Sequence, residues 1–295
     1  MKRDAKKPYN QYDNDLLSYF SKTYELNTSE LIKEGLPICE DIMEYKKSSS
    51  HKNWEPVGFE LQTTTIWSFP KRGNWATHSG DYRGNWPPEV PRNIILRYSK
   101  ENELVLDPFV GSGTTIIETK LLKRQGIGID INKNAIEISK RNIQFKKVDA
   151  IEPILLLGNV LKLKDIIQDN SIDLVCTHPP YANIIKYSND IPDDLSRLNI
   201  DEFLSKMNEV SKELFRVLKH NKYCAILMGD IRKNNNVIPL GFNVMQAFQK
   251  VGFILKEIVI KQQHNCKMNA FWSKKSVENN FLLLAHEYLF IFRKP

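Results

Sequence analysis

The first chemically informative stretch of this chain is residues 106–115, which read LDPFVGSGTT and follow a short apolar run. Gly111 and Gly113 allow the backbone to approach a ligand closely, and a helix that begins at Thr114 presents free N–H groups and positive potential. These donors suit a carboxylate. The turn does not have the Gly-Lys-Thr ending of a phosphate-binding P-loop, so we expect a carboxylate-bearing small molecule here.

Two polar residues follow the next apolar runs, at the same predicted edge of a sheet. Asp130 comes about 20 residues after the glycines, where an acidic side chain can accept hydrogen bonds from both hydroxyls of a ribose. Asn159 can meet an adenine edge, although a turn residue is an equally good interpretation. A carboxylate, a ribose and an adenine together fit S-adenosylmethionine (AdoMet). The predicted cofactor-binding residues are Asp107, Phe109, Gly111, Ser112, Gly113, Thr114, Asp130 and Asn159.

The second informative stretch is residues 177–181, which read THPPY and follow the apolar run 172–176. That run is expected to form a strand beside the first one, so the two stretches face each other across one crevice. The two prolines lack an N–H and have a fixed φ, so their carbonyls are held rigidly and can accept hydrogen bonds from an amino group. His178 can accept a second amino hydrogen through an unprotonated ring nitrogen, and Tyr181 can stack on a flat base.

These groups fit one reaction. The amino nitrogen of a nucleic acid base is conjugated with its ring and is a poor nucleophile. Two acceptors directed at its hydrogens favour a pyramidal nitrogen, which frees the lone pair for in-line attack on the sulfonium methyl of AdoMet. A base in a duplex would have to be flipped out of the helix. The predicted catalytic residues are His178, Pro179, Pro180 and Tyr181, and the alternative is a Pro-Pro turn beside a buried tyrosine.

The composition is that of a globular protein with a basic surplus. The 295 residues carry a formal net charge of +7, which favours a polyanionic partner but equally describes a Lys-rich soluble protein. The four cysteines are widely spaced without a Cys-x-x-Cys, so neither a metal site nor a disulfide framework is expected. The chain shows no signal-peptide pattern and no apolar run of the ~20 residues that cross a bilayer. We expect a cytoplasmic protein without a membrane partner.

From residue 93 onward, apolar runs alternate with amphipathic stretches. The apolar runs predict strands over 103–107, 126–130, 154–157, 172–177, 223–228, 253–261 and 287–292. The amphipathic stretches predict helices over 92–98, 114–123, 134–145, 200–218 and 241–251. This alternation predicts an α/β fold with a mostly parallel, doubly wound sheet. Because a loop is expected between the last two strands, we predict that they form an antiparallel hairpin at one sheet edge.

The first part of the chain has a different pattern. Residues 1–61 predict a polar, mostly helical segment, and residues 62–295 predict the main domain. Within the main domain, residues 62–92 are rich in aromatic side chains, glycine and proline. Such loops can shape a pocket or pack as a lid on the core, and the two interpretations are equally good.

The motifs resemble those of the DNA amino-methyltransferases, which act on N4 of cytosine or N6 of adenine. Residues 107–115 resemble motif I of that family, and residues 177–181 resemble motif IV. Residues 86–91 (WPPEVP) resemble motif X, and residues 286–294 resemble the closing strand. The resemblance extends over residues 62–295. It implies a Rossmann-like class I methyltransferase fold, AdoMet as the cofactor, double-stranded DNA as the substrate, and base flipping.

Two departures from the family pattern bear on the target base. Residues 107–115 are typical of members in which the target platform precedes the cofactor stretch, whereas here it follows, so the chain resembles a permuted relative. At the position of His178, adenine methylases of the family usually carry Asp or Asn, and cytosine methylases usually carry Ser. THPPY is closer to the serine form, and residues 86–91 also resemble the cytosine group. We therefore expect N4 of cytosine first and N6 of adenine second.

The DNA-reading surface is expected between the last two strands, over residues 261–280. The predicted DNA contacts are Lys267, Trp272, Lys274 and Lys275. Cations can bind phosphates, and an indole can stack on a base or wedge between bases. A solvated hairpin loop is an almost equally good interpretation of this segment. The loop over residues 187–197 and the N-terminal segment are further candidates for DNA contacts.

Other functions stay open at the level of the sequence. Methylation of an RNA base or of a protein glutamine needs the same acceptors, and a DNA-binding module that keeps an inactive methyltransferase fold is a non-catalytic alternative. A cognate restriction endonuclease would be a fitting partner for a DNA methylase, and a methylase without one fits the chain equally well.

Overall fold

The structure is a computed structural model that describes residues 53–233, 236–265 and 269–295. Its strands are β1 (Ile66–Trp67), β2 (Leu104–Asp107), β3 (Gln125–Asp130), β4 (Ile154–Leu157), β5 (Ile172–Thr177), β6 (Leu218–Met228), β7 (Ile231–Lys233), β8 (Asn236–Ile238), β9 (Ile254–Gln262) and β10 (His286–Arg293). Eight of them form one sheet in the order β4-β3-β2-β5-β6-β10-β9-β1, and β7 pairs separately with β8. Among the described strands of the large sheet, only β10 runs antiparallel to its neighbours.

Helices cover both faces of this sheet. They are α1 (Glu89–Tyr98), α2 (Thr114–Leu121), α3 (Lys133–Asn142), α4 (Ile200–Val217), α5 (Leu240–Val251) and α6 (Asn269–Glu278). Successive residues of a strand point to opposite faces of its sheet. Leu106 and Val175 therefore pack in one core with residues of α4 and α5, whereas Val105 and Leu174 pack in a second core with residues of α1. The predicted Rossmann-like, mostly parallel and doubly wound sheet is confirmed.

The last two sheet strands pair antiparallel, as predicted, but they are not a hairpin at the sheet edge. β10 lies between β6 and β9, and the two-residue β1 lies on the outer side of β9. Leu289, Phe290 and Ile291 are at most 1% exposed, so β10 is covered on both faces. β1 takes the edge because it pairs in parallel with β9. A two-residue strand is too short to show an alternating pattern in the sequence, so the predicted edge position was wrong.

The connection between β9 and β10 also differs from the prediction. It contains helix α6 where the sequence predicts a loop. Phe271 and Trp272 on this helix are about half exposed. The segment therefore lacks the buried apolar stripe on which the recognition of a helix depends.

The predicted helical segment over residues 1–61 lies mostly outside the described residues. The part that is described, residues 53–61, forms turns and extended chain. The compact unit that contains the sheet begins at Asn53. In the ranges that the structure describes, no helix has the length and apolar character needed to cross a membrane.

Candidate active site

An open cleft of about 800 Å³, counting the solvent at its mouth, lies at the carboxyl ends of β2, β3 and β5. Ligands of parallel α/β sheets bind at this edge. The predicted cofactor-binding residues that line the cleft are Asp107, Phe109, Gly111, Ser112, Thr114, Asp130 and Asn159. Gly113 lies between two of them and is the N-cap of α2. The structure thus brings the predicted cofactor residues together.

The glycine turn has a backbone that requires its glycines. Gly111 and Gly113 have φ values of 53° and 88°, in the left-handed region. A Cβ on Gly113 would lie 3.0 Å from Ser139 Oγ. That hydroxyl donates a 2.8 Å hydrogen bond to the Gly111 carbonyl, and Asn142 Nδ2 donates a 2.8 Å bond to the Ser112 carbonyl. Two side chains of α3 therefore bind the carbonyls of the turn.

Asp107 connects the cofactor turn to the target platform. Its Oδ1 accepts hydrogen bonds from the Phe109 N–H at 3.1 Å and from Thr177 Oγ1 at 2.7 Å. Its Oδ2 accepts from Thr115 Oγ1 at 2.5 Å. Burial raises the pKa of Asp107 to about 6, although these three hydrogen bonds act to lower it. Because Thr177 directly precedes His178, this carboxyl group fixes the distance between the two halves of the site.

Asp130 is positioned at the end of β3 as the ribose prediction requires. Its Oδ2 accepts from the Gly111 N–H at 3.0 Å, and its Oδ1 accepts from the Asn132 N–H at 2.9 Å. Burial raises the pKa of Asp130 to about 6, against the effect of these N–H donors. Each carboxylate oxygen can accept more than one hydrogen bond. The side chain therefore keeps acceptor capacity toward the cleft that it lines.

Asn159 is both a turn residue and a cleft residue. Its side-chain oxygen accepts from the Leu161 N–H at 2.9 Å and so caps the 3₁₀ turn Val160–Asp165. Its Nδ2 donates to Asp193 Oδ2 at 2.9 Å. Asn159 can therefore be a turn residue and also lie at an adenine edge, which were the two interpretations of the sequence.

The aromatic stretch over residues 62–92 forms part of the wall of the cleft. Tyr82 stacks on Tyr187, with ring centroids 6.0 Å apart and an interplanar angle of 7°. Gly84 has a φ of 83°, and a Cβ at this position would lie 2.0 Å from the Tyr187 hydroxyl. Trp67 and Trp75, by contrast, are buried in the core. The stretch therefore both shapes the pocket and packs on the core, through different side chains.

The target platform follows β5, and only part of it lines the cleft. His178 and Pro180 line the cleft, whereas Pro179 is buried. The His178 ring stacks on Trp86, with centroids 5.5 Å apart and an interplanar angle of 24°. His178 Nε2 lies 2.8 Å from the Tyr181 hydroxyl. Cofactor turn and platform thus open onto one cleft, as the sequence predicts.

Tyr181 takes a position that the stacking prediction does not describe. Its hydroxyl donates a 2.8 Å hydrogen bond to Glu287 Oε1. Its ring packs so closely on Gly229 that a Cβ there would lie 2.9 Å from it, and Tyr181 is not among the residues that line the cleft. The geometry supports a role in holding His178, because the hydroxyl is engaged on both sides.

Burial and neighbouring charges set the ionisation of this group. Burial lowers the pKa of His178 to about 4, with Lys261 acting in the same direction and Glu287 in the opposite one. Burial acts to raise the pKa of Glu287, but Lys261, His178 and Tyr181 outweigh it and hold that pKa below its usual value. At neutral pH the imidazole is therefore uncharged and the Glu287 carboxylate is ionised.

Sequence reasoning missed three contributors to the site. Trp86, Lys261 and Glu287 were assigned to a family motif, a recognition segment and the closing strand, without a role at the platform. Glu287 lies 106 positions from Tyr181 along the chain. Such contacts arise from the strand order, and no short spacing in the sequence signals them.

The predicted DNA contacts lie apart from this group. Trp272 is 49% exposed and meets Phe271 edge-on, with ring centroids 5.3 Å apart. The side chains of Lys274 and Lys275 are 81% and 44% exposed, and Lys275 Nζ lies 2.8 Å from Glu278 Oε2. Lys267 lies outside the described residues. The predicted recognition segment is thus the end of a strand followed by an exposed helix.

Three curated relatives illustrate what the chain is similar to. The type II methyltransferase M2.LlaDCHI of Lactococcus lactis subsp. cremoris is 36% identical over 104 residues, which are 33% of this chain and 38% of that protein. The type II methyltransferase M.HpaI of Haemophilus parainfluenzae is 47% identical over 68 residues, 22% of each. A tRNA (guanine(10)-N2)-dimethyltransferase of Pyrococcus abyssi is 28% identical over 96 residues, 32% of this chain and 28% of that protein. The chain spans less than two fifths of the length of each.

A family model described as DNA methylase, for N6 and N4 methyltransferases, matches residues 2–141 and 172–295. The match includes both the cofactor turn and the target platform, and it confirms the resemblance found in the sequence. The cofactor of this family is AdoMet. The left-handed glycine turn and the half-buried Asp130 at the cleft fit that cofactor. The chain belongs to the N6/N4 DNA methylase family.

Proposed function

We propose that this protein transfers a methyl group from AdoMet to the exocyclic amino nitrogen of a flipped DNA base, with N4 of cytosine favoured. One observation carries the proposal. Asp107 accepts a hydrogen bond from Thr177, which places His178 next to the glycine turn in a single cleft. Direct transfer between two bound molecules requires that their sites lie side by side. The hydrogen bond between Asp107 and Thr177 supports such an arrangement.

The cleft offers each part of AdoMet a matching partner. The turn over residues 111–114 and the N-terminus of α2 would hold the carboxylate of the cofactor, because helix N-termini favour anions. Asp130 would accept hydrogen bonds from the ribose, and Asn159 would lie at the adenine. When bound, AdoMet supplies an electrophilic methyl group on a sulfonium.

The platform would orient and activate the amino group. His178 is uncharged at neutral pH because burial lowers its pKa to about 4, so one ring nitrogen is an acceptor. The carbonyl of Pro179 or Pro180, fixed by the proline rings, is the second acceptor. Two acceptors on the two amino hydrogens favour a pyramidal nitrogen, and no covalent bond between enzyme and base is needed.

The preference for cytosine rests on the form of the motifs. THPPY and the WPPEVP stretch over residues 86–91 are both closer to the cytosine group than to the adenine group. N6 of adenine is the alternative with the same chemistry. The similarity to a tRNA (guanine(10)-N2)-dimethyltransferase makes an amino group on an RNA base the next alternative.

Double-stranded DNA would be contacted through α6. Trp272 is about half exposed, and Lys274 and Lys275 are also exposed. An exposed indole beside two cations can bind the phosphate backbone and insert at a base step. A cognate restriction endonuclease is the partner that methylation of a DNA site would complement.

A methyl-transfer assay with purified protein tests the proposal. AdoMet with a radiolabelled methyl group is incubated with duplex DNA, with tRNA, and with both together. We expect label in DNA under all conditions that contain it, and labelling about 100-fold slower with a His178→Ala variant that still binds AdoMet. Label that enters tRNA and is undiminished by DNA would contradict the proposal, as would the absence of label in either.

A further inference from the structure

An unbroken chain of hydrogen bonds runs behind the target platform. Lys261 Nζ on β9 donates to Glu287 Oε2 on β10 at 2.8 Å. Glu287 Oε1 accepts from the Tyr181 hydroxyl at 2.8 Å, and that hydroxyl lies 2.8 Å from His178 Nε2. The side chains of Lys261, Glu287 and His178 are only 10%, 8% and 14% exposed. The four groups thus form one connected network with little access to water.

The sheet itself builds the charged end of this network. Lys261 and Glu287 are directly opposite each other in the antiparallel pairing of β9 with β10. Directly opposed residues have neighbouring side chains on one face. The pairing therefore fixes the carboxylate next to the ammonium, independently of the conformation of the platform.

The protons that each group carries fix the direction of these hydrogen bonds. An ammonium group can only donate, and an ionised carboxylate can only accept. Tyr181 has a single hydroxyl proton, and it points to Glu287. The phenol oxygen therefore accepts at its other contact, and His178 Nε2 must be the donor there.

We infer that Lys261 and Glu287, acting through Tyr181, hold the neutral His178 in the tautomer that carries its proton on Nε2, so that Nδ1 is the hydrogen-bond acceptor of the ring. This inference rests on the proposed function in assigning that acceptor to an amino group of the substrate. Lys261, Glu287 and Tyr181 are then positioning residues, because they act through His178.

The variant that tests the direction is Glu287→Gln. A glutamine would offer its carbonyl to Lys261 and its NH₂ group to the Tyr181 oxygen. Tyr181 would then donate its proton to His178 Nε2, and the ring proton would move to Nδ1. Glutamine has nearly the same shape as glutamate, but it reverses the direction of the hydrogen bonds. A change of tautomer in this variant is therefore not an effect of altered packing.

The readout is the ¹⁵N chemical shifts of the ring nitrogens in histidine-labelled protein at neutral pH. The His178 signals among the six histidines are identified by their loss in a His178→Gln variant. We expect a protonated Nε2 in the wild type and a protonated Nδ1 in Glu287→Gln. We also expect kcat for DNA methylation to fall about 10-fold or more, as for loss of one hydrogen bond, with the Kd for AdoMet unchanged.

Glu257→Gln is the matched control, because Glu257 lies on β9 and is exposed. It should keep the wild-type tautomer and kcat. Tyr181→Phe is the second test variant and serves if Glu287→Gln does not fold: without the hydroxyl, His178 should show a mixture of both tautomers.

The inference is overturned if the wild type carries the proton on Nδ1, or if every test variant that folds keeps it on Nε2. The tautomer is read without substrate. A protein that shows the expected tautomers but methylates no DNA would therefore contradict the proposed function and leave the network as described.

Discussion

His178 is the side chain on which the proposed chemistry depends, and its surroundings keep it uncharged. It stacks on Trp86 and bonds to the Tyr181 hydroxyl, and burial lowers its pKa to about 4. An imidazole is useful here as an acceptor only while one ring nitrogen is unprotonated. The environment supplies that condition across the physiological pH range.

His178→Ala should reduce methyl transfer while leaving cofactor binding intact. We expect kcat to fall about 100-fold, the range for removal of one preorganised hydrogen-bonding group, because the amino group loses an acceptor. The Kd for AdoMet, measured by calorimetry, should stay unchanged. His220→Ala, at an exposed position, is the control. Equal losses of AdoMet affinity and activity in His178→Ala would show that its role is misassigned.

AdoMet binding should depend on pH through Asp130. Burial raises the pKa of this carboxyl to about 6, so it is an ionised double acceptor above that pH and protonated below it. We expect the Kd for AdoMet to rise as the pH falls through about 6. Asp130→Asn should bind more weakly than the wild type above about pH 6, approach the wild-type Kd below that pH, and show a flatter profile. The same pH dependence in wild type and variant would assign the titration to another group, such as Asp107, whose pKa is also about 6.

At the scale of elements, helix α2 connects the cofactor turn to the aromatic stretch before it. Glu118 on α2 is fully buried. Its Oε1 accepts from Trp75 Nε1 at 2.8 Å and contacts His78 Nε2 at 2.7 Å, and its Oε2 accepts from Arg92 Nη1 at 2.9 Å. One carboxyl group thereby holds the stretch that carries Trp86 to the platform.

Glu118→Ala should destabilise the fold strongly. The variant leaves Arg92, which is only 8% exposed, without its buried partner, and breaking a buried ion pair costs about 3 kcal/mol or more. The free energy of unfolding in denaturant measures this. Glu209→Ala removes an exposed pair with Lys206 and should cost at most about 1 kcal/mol. Similar losses in both variants would mean that Glu118 does not anchor the stretch.

The sequence predicted those strands and helices whose own residues show a clear hydrophobic pattern. The strand predicted over residues 172–177 is β5 with the same bounds, because a fully buried strand is a mostly apolar run, here interrupted by Asp173. β6 begins at Leu218 rather than 223, since residues 219–222 are polar and lie partly in solvent. α6 was missed for a related reason, because its apolar side chains face outward.

The site was predictable to the extent that it is built from contiguous motifs. The glycine turn and the platform are each read from a few neighbouring residues. The partnership of Lys261 with Glu287, and of Glu287 with Tyr181, depends on β10 entering the sheet between β6 and β9. That insertion is a property of the whole sheet, and no local pattern specifies it.

For the whole molecule, the basic net charge and the exposed helix α6 both favour DNA binding. The chain has a net charge of +7, and Lys274 and Lys275 are exposed beside Trp272. Lysines that contact phosphates release counterions on binding, so the affinity for DNA falls with salt. A DNA surface on α6 would therefore be recognised by its effect on that salt dependence.

The double variant Lys274→Ala/Lys275→Ala should weaken DNA binding and reduce its salt dependence. Each lost phosphate contact lowers the slope of log K against log salt by about 0.9. Fluorescence anisotropy of labelled duplex DNA at several salt concentrations measures both quantities, and AdoMet binding should not change. Lys206→Ala/Lys212→Ala removes the same charge from exposed positions on α4. Equal effects of the two double variants would indicate a general charge effect and no contact at α6.

Mass spectrometry of nucleosides identifies the methylated base itself. Plasmid DNA is isolated from cells that express this protein or its His178→Ala variant, and the methylated bases are quantified. We expect N4-methylcytosine in the first plasmid and a lower amount of it in the second. N6-methyladenine would keep amino-group methylation and contradict the cytosine assignment, and DNA without either modified base would contradict the account as a whole.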